Sequence, residues 1–371
     1  MVAQYGEVDS QATGFNLGGT AVSLLLIFEL HTSLRTDRRL NMRDLLIFEE
    51  SLKRLNGVFV QFDSLRVICW HSDGSFSWNG QPIDADAIQP EIGWINFDIL
   101  NAGKMQHYVE TLLQFKTLRW VQTGHAGLDH LLYSRLAECD VRLSKSYAQS
   151  IAIAEYTLAH ALHYFQDIEF RLSAQRAAEW KSKQFRELYG SRWLIVGFGH
   201  IGRRVAKRAR GFECHITTLR RSGAADSAAD EVISGTELSA TLAKSDVVVL
   251  ACPETAETAG LVDAEFIAAM KKGSLLINVA RGGLIDDTAL INGLDIGRPG
   301  FAVLDAFSVE PLPVEHPYWA HPNVVITAHM SNRGSGTSDR GTEQFLANLR
   351  LYLNNGMPDD EVNLQSILSS T

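Results

Sequence analysis

Cysteine is scarce in this chain: Cys69, Cys139, Cys214 and Cys252 are the only four in 371 residues, far apart and without a C-x-x-C pair. That excludes a disulfide framework and a cysteine zinc site, and makes free thiols in a reducing cytoplasm the expectation. Long hydrophobic runs are missing too. The longest near the N-terminus, "AVSLLLIF", stops at Glu29, well short of the roughly 20 residues a membrane-spanning helix needs. No lysine or arginine precedes it, whereas Glu7 and Asp9 do, so it makes a poor signal peptide. Basic charge is in deficit, with 34 Lys and Arg against 43 Asp and Glu and a net charge of −9. That balance argues against nucleic acid or an anionic membrane as a partner. Repeats and low-complexity tracts are absent, no metal site is expected, and the protein is read as cytoplasmic.

What is present is an ordinary soluble composition, 46% hydrophobic and 21% charged, on a chain long enough for two domains. Residues 1–43 carry no sustained period and read as an N-terminal extension; Met42, just ahead of the first strand, fits an upstream start codon. "LLIFEE" (45–50) and "LRVICW" (65–70) read as strands, with helical spacing in "SLKRLNGVFVQF" between them. From residue 92 to 165 the α/β pattern continues through "IGWINFDIL", "LRWVQTGHAGLDHL" and the helix-like "SIAIAEYTLAHALHYF". Strands then recur at 193–196, 215–219, 246–250, 275–279, 301–304 and 324–327. Their unbroken Val, Ile and Leu indicate parallel sheet covered on both faces, and their spacing suits right-handed βαβ crossovers. "TEQFLANLRLYLNNG" predicts a docking helix with Phe345, Leu346, Leu349, Tyr352 and Leu353 on one face.

One segment is more specific. "WLIVGFGHIGRRVAKRARGFECHITTLRR" (193–221) runs strand, G-x-G-x-x-G, helix, strand. Gly197 permits a tight turn, Gly199 lets backbone approach a pyrophosphate, and Gly202 lets helix pack on sheet. The phosphates would sit on unpaired N–H groups at the helix N-terminus, so Gly197, Gly199, His200, Ile201 and Gly202 are the expected cofactor contacts. At the end of the second strand an acid would hold a ribose 2′-hydroxyl, whereas arginine accommodates a 2′-phosphate. Here Arg220 and Arg221 stand there, with no acid in "TTLRRSG". Two solvated surface arginines are the plain alternative. The missing acid and the gained bases together favour NADP(H) over NAD(H), which stays possible.

Three later segments, "INVARGGLID" (277–286), "LDAFSVEPLPVEHPYWAHPNV" (304–324) and "ITAHMS" (326–331), lie at the carboxyl ends of predicted parallel strands, where such sheets bind ligands. With "PEIGWINFDIL", "TGHAGLDHL", "IAEYTLA", "QRAAEW", "VGFGHIG" and "ETAGLV", in order from about residue 45 to 365, the chain resembles the D-isomer-specific 2-hydroxyacid dehydrogenases, glyoxylate/hydroxypyruvate reductases among them. The resemblance implies a catalytic Arg281, Glu310 and His329. Elementary chemistry agrees. Reducing a 2-keto acid needs a cation for the carboxylate and carbonyl, an imidazolium as acid, and a carboxylate to orient that imidazole.

The resemblance further implies substrate contact from backbone near Ala126 and Gly127, with His125 equally a substrate contact or a structural group. It assigns Asp305 to the nicotinamide carboxamide, Ala280 to the nicotinamide, and Cys252 and Pro253 to the adenosine. A packing or surface role, rather than metal binding, is the expectation for His160 and His163. Ala328 stands where the family has proline, and Tyr147 where it has glycine, near the hinge. The implied fold is α/β: two Rossmann-like or flavodoxin-like doubly wound parallel-sheet domains with a cleft between them. One is a substrate domain of residues 44–148 and 331–371; the other is a dinucleotide domain, 149–330, inserted into it. A homodimer through 150–190 goes with it. The implied activity is hydride transfer between NADP(H) or NAD(H) and a small 2-keto or D-2-hydroxy acid. Alternatives are a phosphoglycerate dehydrogenase-like enzyme and a non-enzymatic dinucleotide sensor of the same fold.

Overall fold

The computed structural model describes residues 42–368, apart from Asn56 and Ser222. The extension expected over residues 1–43 therefore lies, up to Asn41, outside the described residues; Arg43 already belongs to the first strand. Two compact units divide the chain, one running to Glu91 and one from Ile92.

In the first unit, β1 (Arg43–Phe48) and β2 (Leu65–Trp70) pair in parallel. Leu45, Leu46, Ile47 and Phe48 are consecutive and all buried, which is how a strand covered on both faces reads. The strand ends earlier than expected because Glu49 and Glu50 open a helix, Glu49–Arg54, where acids suit the N-terminal dipole. The helix expected across 51–62 is split: Gly57, at φ 78°, separates that piece from a 3-10 turn, Val58–Gln61. β3 (Phe76–Trp78) and β4 (Gln81–Ile83) form an antiparallel hairpin that the parallel-sheet expectation did not contain. Asn79 and Gly80 make its loop, at φ 49° and 76°, the pair such a turn favours.

In the second unit, residues 92–95 of β5 (Pro90–Ile95), β6 (Trp120–Thr123) and β7 (Arg142–Ser144) are parallel neighbours. After helix α1 (Ser150–Phe165) come β8 (Arg192–Val196), helix α2 (His200–Arg210), β9 (His215–Leu219), β10 (Glu231–Ile233), β11 (Val247–Leu250), β12 (Leu275–Asn278), β13 (Phe301–Leu304) and β14 (Val324–Ile326). These form a seven-stranded parallel sheet in the order β10-β9-β8-β11-β12-β13-β14. Alternate residues serve two cores. Trp193, Ile195, Val247, Val249, Leu275 and Ile277 pack with Leu158 and Ala161 of α1 and Val205 and Ala206 of α2. Leu194, Val196, Val248, Leu250 and Leu276 pack with Phe266 and Leu290 on the other face. Each such fully buried Leu or Val contributes about 1.5–3 kcal/mol. Strand order reverses between β8 and β11, the switch point at which such sheets hold a dinucleotide.

Helix α3 (Thr337–Asn355) buries Phe345, Leu349 and Tyr352, while Leu346 and Leu353 are half-buried. Phe345 stacks on Trp94 at 4.2 Å, and Tyr352 on Trp120 at 4.9 Å, so α3 covers β5 and β6. No helix of the described residues is long and apolar enough to cross a membrane.

Candidate active site

The glycine turn is built as its spacing demands. Gly197 has φ 93°, and a Cβ there would come within 2.5 Å of the Cys252 backbone nitrogen. One on Gly202 would meet the Gly197 carbonyl oxygen at 2.3 Å. No side chain caps α2, whose N-cap is Gly199, so first-turn N–H groups face outward. A Cβ on Gly199 would meet nothing within 4 Å. Beyond the turn a cavity of about 570 Å³ opens between Leu219, Arg220 and Arg221 on one side and Cys252, Pro253 and Leu261 on the other. Cys252 is a partly buried thiol whose pKa burial pushes up, consistent with a wall rather than a nucleophile. At the turn itself His200 stacks on Tyr147, centroids 3.6 Å apart and planes 7° from parallel. The Tyr147 hydroxyl donates to the Asp360 carboxylate. Burial and the nearby Arg203 lower the His200 pKa, favouring a neutral ring.

Arg220 is not idle. Its Nη1 lies 3.2 Å from Asp226 Oδ2, an oxygen that also accepts from Arg203 Nη2 at 2.5 Å. Asp226 is 10% exposed. Burial would raise its pKa, but the Ala228 N–H and the two guanidinium groups more than offset this and hold it below the usual carboxylate range. The acid missing from "TTLRRSG" thus returns three residues later. Arg221 is 85% exposed, 3.5 Å from a well-solvated Glu257.

The reacting end lies at the carboxyl ends of β12, β13 and β14. Buried Asn278 closes the turn after β12: its Nδ2 donates to the Arg281 carbonyl at 2.8 Å, and its Oδ1 accepts from the Ala280 N–H at 3.0 Å. Arg281 is thereby aimed across Gly127, where a Cβ would fall 1.7 Å from Nη2. Its Nε and Nη2 donate to the two oxygens of Asp129 at 2.9 and 2.8 Å, and Nη1 donates to the Ala280 carbonyl. Asp129 was not among the expected site residues, although it ends the "TGHAGLD" segment. Burial works against the charge on Arg281, yet the Asp129 carboxylate more than compensates, so it stays firmly a cation.

His329 Nδ1 lies 3.0 and 3.2 Å from the two Glu310 oxygens. Oε1 of Glu310 also accepts the Phe307 N–H at 2.9 Å, which fixes the carboxylate. With Nδ1–H donated to Glu310, Nε2 is the ring atom left to exchange a proton. His329 is held at φ 48°, a left-handed conformation that a non-glycine residue adopts only under restraint. The restraint is Asp305. Its carbonyl accepts the His329 N–H at 2.8 Å, and its carboxylate accepts from Thr327 Oγ1 (2.5 Å) and the N–H groups of Met330 (2.8 Å) and Ser331 (3.0 Å). Asp305, expected at the nicotinamide, is the brace of the histidine turn. His125 is braced as well: Nδ1 lies 2.8 Å from the Gly127 carbonyl and Nε2 3.0 Å from the Tyr133 hydroxyl. Both ring nitrogens are thus occupied, one within the loop and one by the following helix, and burial lowers the His125 pKa. Arg281, Glu310, His329, His125, Ala126 and Gly127 line one cavity of about 650 Å³.

Known proteins share this arrangement of elements. Residues 158–331 match the family described as D-isomer specific 2-hydroxyacid dehydrogenase, NAD binding domain. The (S)-sulfolactate dehydrogenase of Chromohalobacter salexigens is 32% identical over 248 residues, 66% of this chain and 80% of that one. The chain belongs to the D-isomer specific 2-hydroxyacid dehydrogenase family. Within this family it is also similar to the D-3-phosphoglycerate dehydrogenase of Mycobacterium leprae, 31% identical over 258 residues, 69% of this chain and 49% of that one. The chain therefore spans about half the length of the curated phosphoglycerate dehydrogenases it matches. Among solved structures, a family member from Xanthobacter autotrophicus Py2, in complex with NADPH and MES, superposes with TM-score 0.69 at 25% identity, covering 88% of this chain and 99% of that one. The glycine turn, Arg281, Glu310 and His329 all fall inside the NAD-binding domain of the family.

Proposed function

We propose that this protein is an NADPH-preferring dehydrogenase that reduces a small 2-keto acid, of the glyoxylate or hydroxypyruvate kind, to its D-2-hydroxy acid. The carrying observation is that a guanidinium and a carboxylate-backed imidazole line the same cavity. Arg281 exchanges Asp129 for the substrate carboxylate and polarises the keto oxygen. His329 delivers a proton from Nε2 to that oxygen, and Glu310, holding Nδ1–H, stabilises the imidazolium beforehand. Backbone N–H groups at Ala126 and Gly127 steady the carboxylate. A bound nicotinamide cofactor supplies the hydride.

The residues present fit that cofactor. The uncapped α2 N-terminus and the open face of Gly199 suit a pyrophosphate. The cavity between Leu219 and Cys252 suits an adenosine, with Arg220 and Arg221 at its rim for a 2′-phosphate. Ala280, buried beside Arg281, and Asp305 flank the nicotinamide end. NAD(H) is the competing cofactor, favoured by the Asp226 contact that occupies Arg220. A dinucleotide domain of 149–330 set into a substrate domain goes with this reading, supported by the match over 158–331. So does a homodimer in the cytoplasm: Leu172, Trp180, Phe185 and Tyr189 are exposed within the segment expected to form its interface. A second reading comes from the relatives, whose substrates, 3-phosphoglycerate and sulfolactate, carry a second anionic group.

The test is loss of reduced-nicotinamide absorbance with glyoxylate or hydroxypyruvate, comparing NADPH with NADH, in native protein and in His329→Ala. Turnover faster with NADPH, and abolished in the variant with cofactor binding retained, is the expected result. Turnover unaffected by His329→Ala would overturn the mechanism. Sedimentation of the same preparation reports the oligomer.

A further inference from the structure

We infer that the active-site cavity accepts a substrate bearing a single anionic group, and that Glu254 is the specificity residue that turns a second one away. The inference rests on the dehydrogenase reading above and names the substrate class within it.

The charges around the cavity are unequal. Among its lining residues Arg281 is the one Lys or Arg side chain, whereas Asp129, Glu254 and Glu310 are carboxylates. Arg281 is already satisfied by both oxygens of Asp129. Binding a substrate carboxylate is therefore an exchange, which returns Asp129 to the cavity as an unpaired anion. Glu254 is there as well. Its carboxylate rests on the bare α-carbon of Gly283, where a Cβ would fall 2.1 Å from Oε1. No hydrogen bond or ion pair to it is formed among the described residues, although it lines the same cavity as Arg281. His329 is paired with Glu310, so those two groups offset each other in the balance. Burial lowers the pKa of His125, whose ring nitrogens are engaged by the Gly127 carbonyl and the Tyr133 hydroxyl. The next basic groups, Lys145 and Arg221, line the adjoining cavity together with Gly199 and His200, on the side where the cofactor phosphates would lie.

A phosphate, sulfonate or second carboxylate on the substrate would meet two unpaired carboxylates and no cation of its own. Such juxtaposition is how binding sites reject a near-relative of their ligand. A hydroxyl would instead find an acceptor in Glu254. The class that fits is a short 2-keto acid whose remaining substituent is neutral and can donate a hydrogen bond.

The experiment compares hydroxypyruvate with its phosphorylated counterpart, 3-phosphonooxypyruvate, using the NADPH-loaded protein. The expected kcat/KM ratio is on the order of 10² in favour of the unphosphorylated acid, a size set by like-charge repulsion at partly screened distances. In Glu254→Lys the ratio should shrink at least tenfold through the KM of the phosphorylated acid, with Glu254→Gln in between. A native preference for the phosphorylated acid, or a ratio unmoved by both variants, overturns the inference while leaving the dehydrogenase intact. If no 2-keto acid is reduced, the dehydrogenase reading is what fails, and calorimetry still decides charge selection. Oxamate binding more tightly than the dianion of 2-oxomalonic acid, with the gap narrowed in Glu254→Lys, supports it; equal affinities overturn it.

Discussion

Two arginines in this molecule each rest on an aspartate, and the two pairs are built differently. Arg281 and Asp129 meet through two parallel hydrogen bonds across 152 positions of sequence, with the two side chains 29% and 57% exposed. Arg220 reaches Asp226 through one contact, six positions away, on an oxygen it shares with Arg203. The first geometry is the one a carboxylate ligand would itself adopt, so under the proposed function Asp129 is a stand-in that keeps the fork aimed. The second leaves most of a guanidinium edge uncommitted, so a phosphate can join without full displacement. A bidentate pair presets one ligand; a single contact on a shared oxygen only tilts a preference.

Breaking the Arg281 side has the largest expected effect. Arg281→Gln should lower kcat/KM for a 2-keto acid by on the order of 10³, with cofactor affinity unchanged, because carbonyl polarisation and carboxylate binding go together. Arg281→Lys should recover little, since a point charge cannot form the fork. Steady-state kinetics decide this, and a loss under tenfold would remove Arg281 from the chemistry. Smaller and opposite in sign is Asp129→Asn. Removing the internal competitor should lower the substrate KM by roughly three- to tenfold, the scale of a partly exposed ion pair. A raised KM would mean that Asp129 orients Arg281 more than it competes. Smallest is Asp226→Asn, which should tighten NADPH by about two- to threefold and leave NADH unmoved. Equal effects on both cofactors would reduce Arg220 to a structural partner of Asp226.

Much of this is legible in the amino-acid sequence. The glycines, the parallel strands after Trp193 and the trio Arg281, Glu310 and His329 are local signals, because a strand end followed by a tight turn fixes where a side chain points. The hairpin at Asn79-Gly80 is equally local and is carried by that pair alone. Other features have no local signal. Asp129 lies in the "TGHAGLD" segment, yet its partner is 152 residues away. Asp226 sits just past the strand end where a selective acid is normally sought. Asp305 reads as a cofactor contact, and its grip on Thr327, Met330 and Ser331 depends on β13 and β14 being neighbours.

By itself, then, the sequence determined the α/β class and the dinucleotide turn, and it named the types of group that the proposed chemistry requires. Apolar periodicity and glycine spacing act over a few residues, and nothing distant can easily overrule them. Tertiary structure alone decided which charges oppose one another: Asp129 against Arg281, Asp226 between two arginines, and Glu254 over Gly283. Those pairings depend on distances across separate loops, and the Coulomb energy that sets ligand preference follows distance and burial rather than order along the chain.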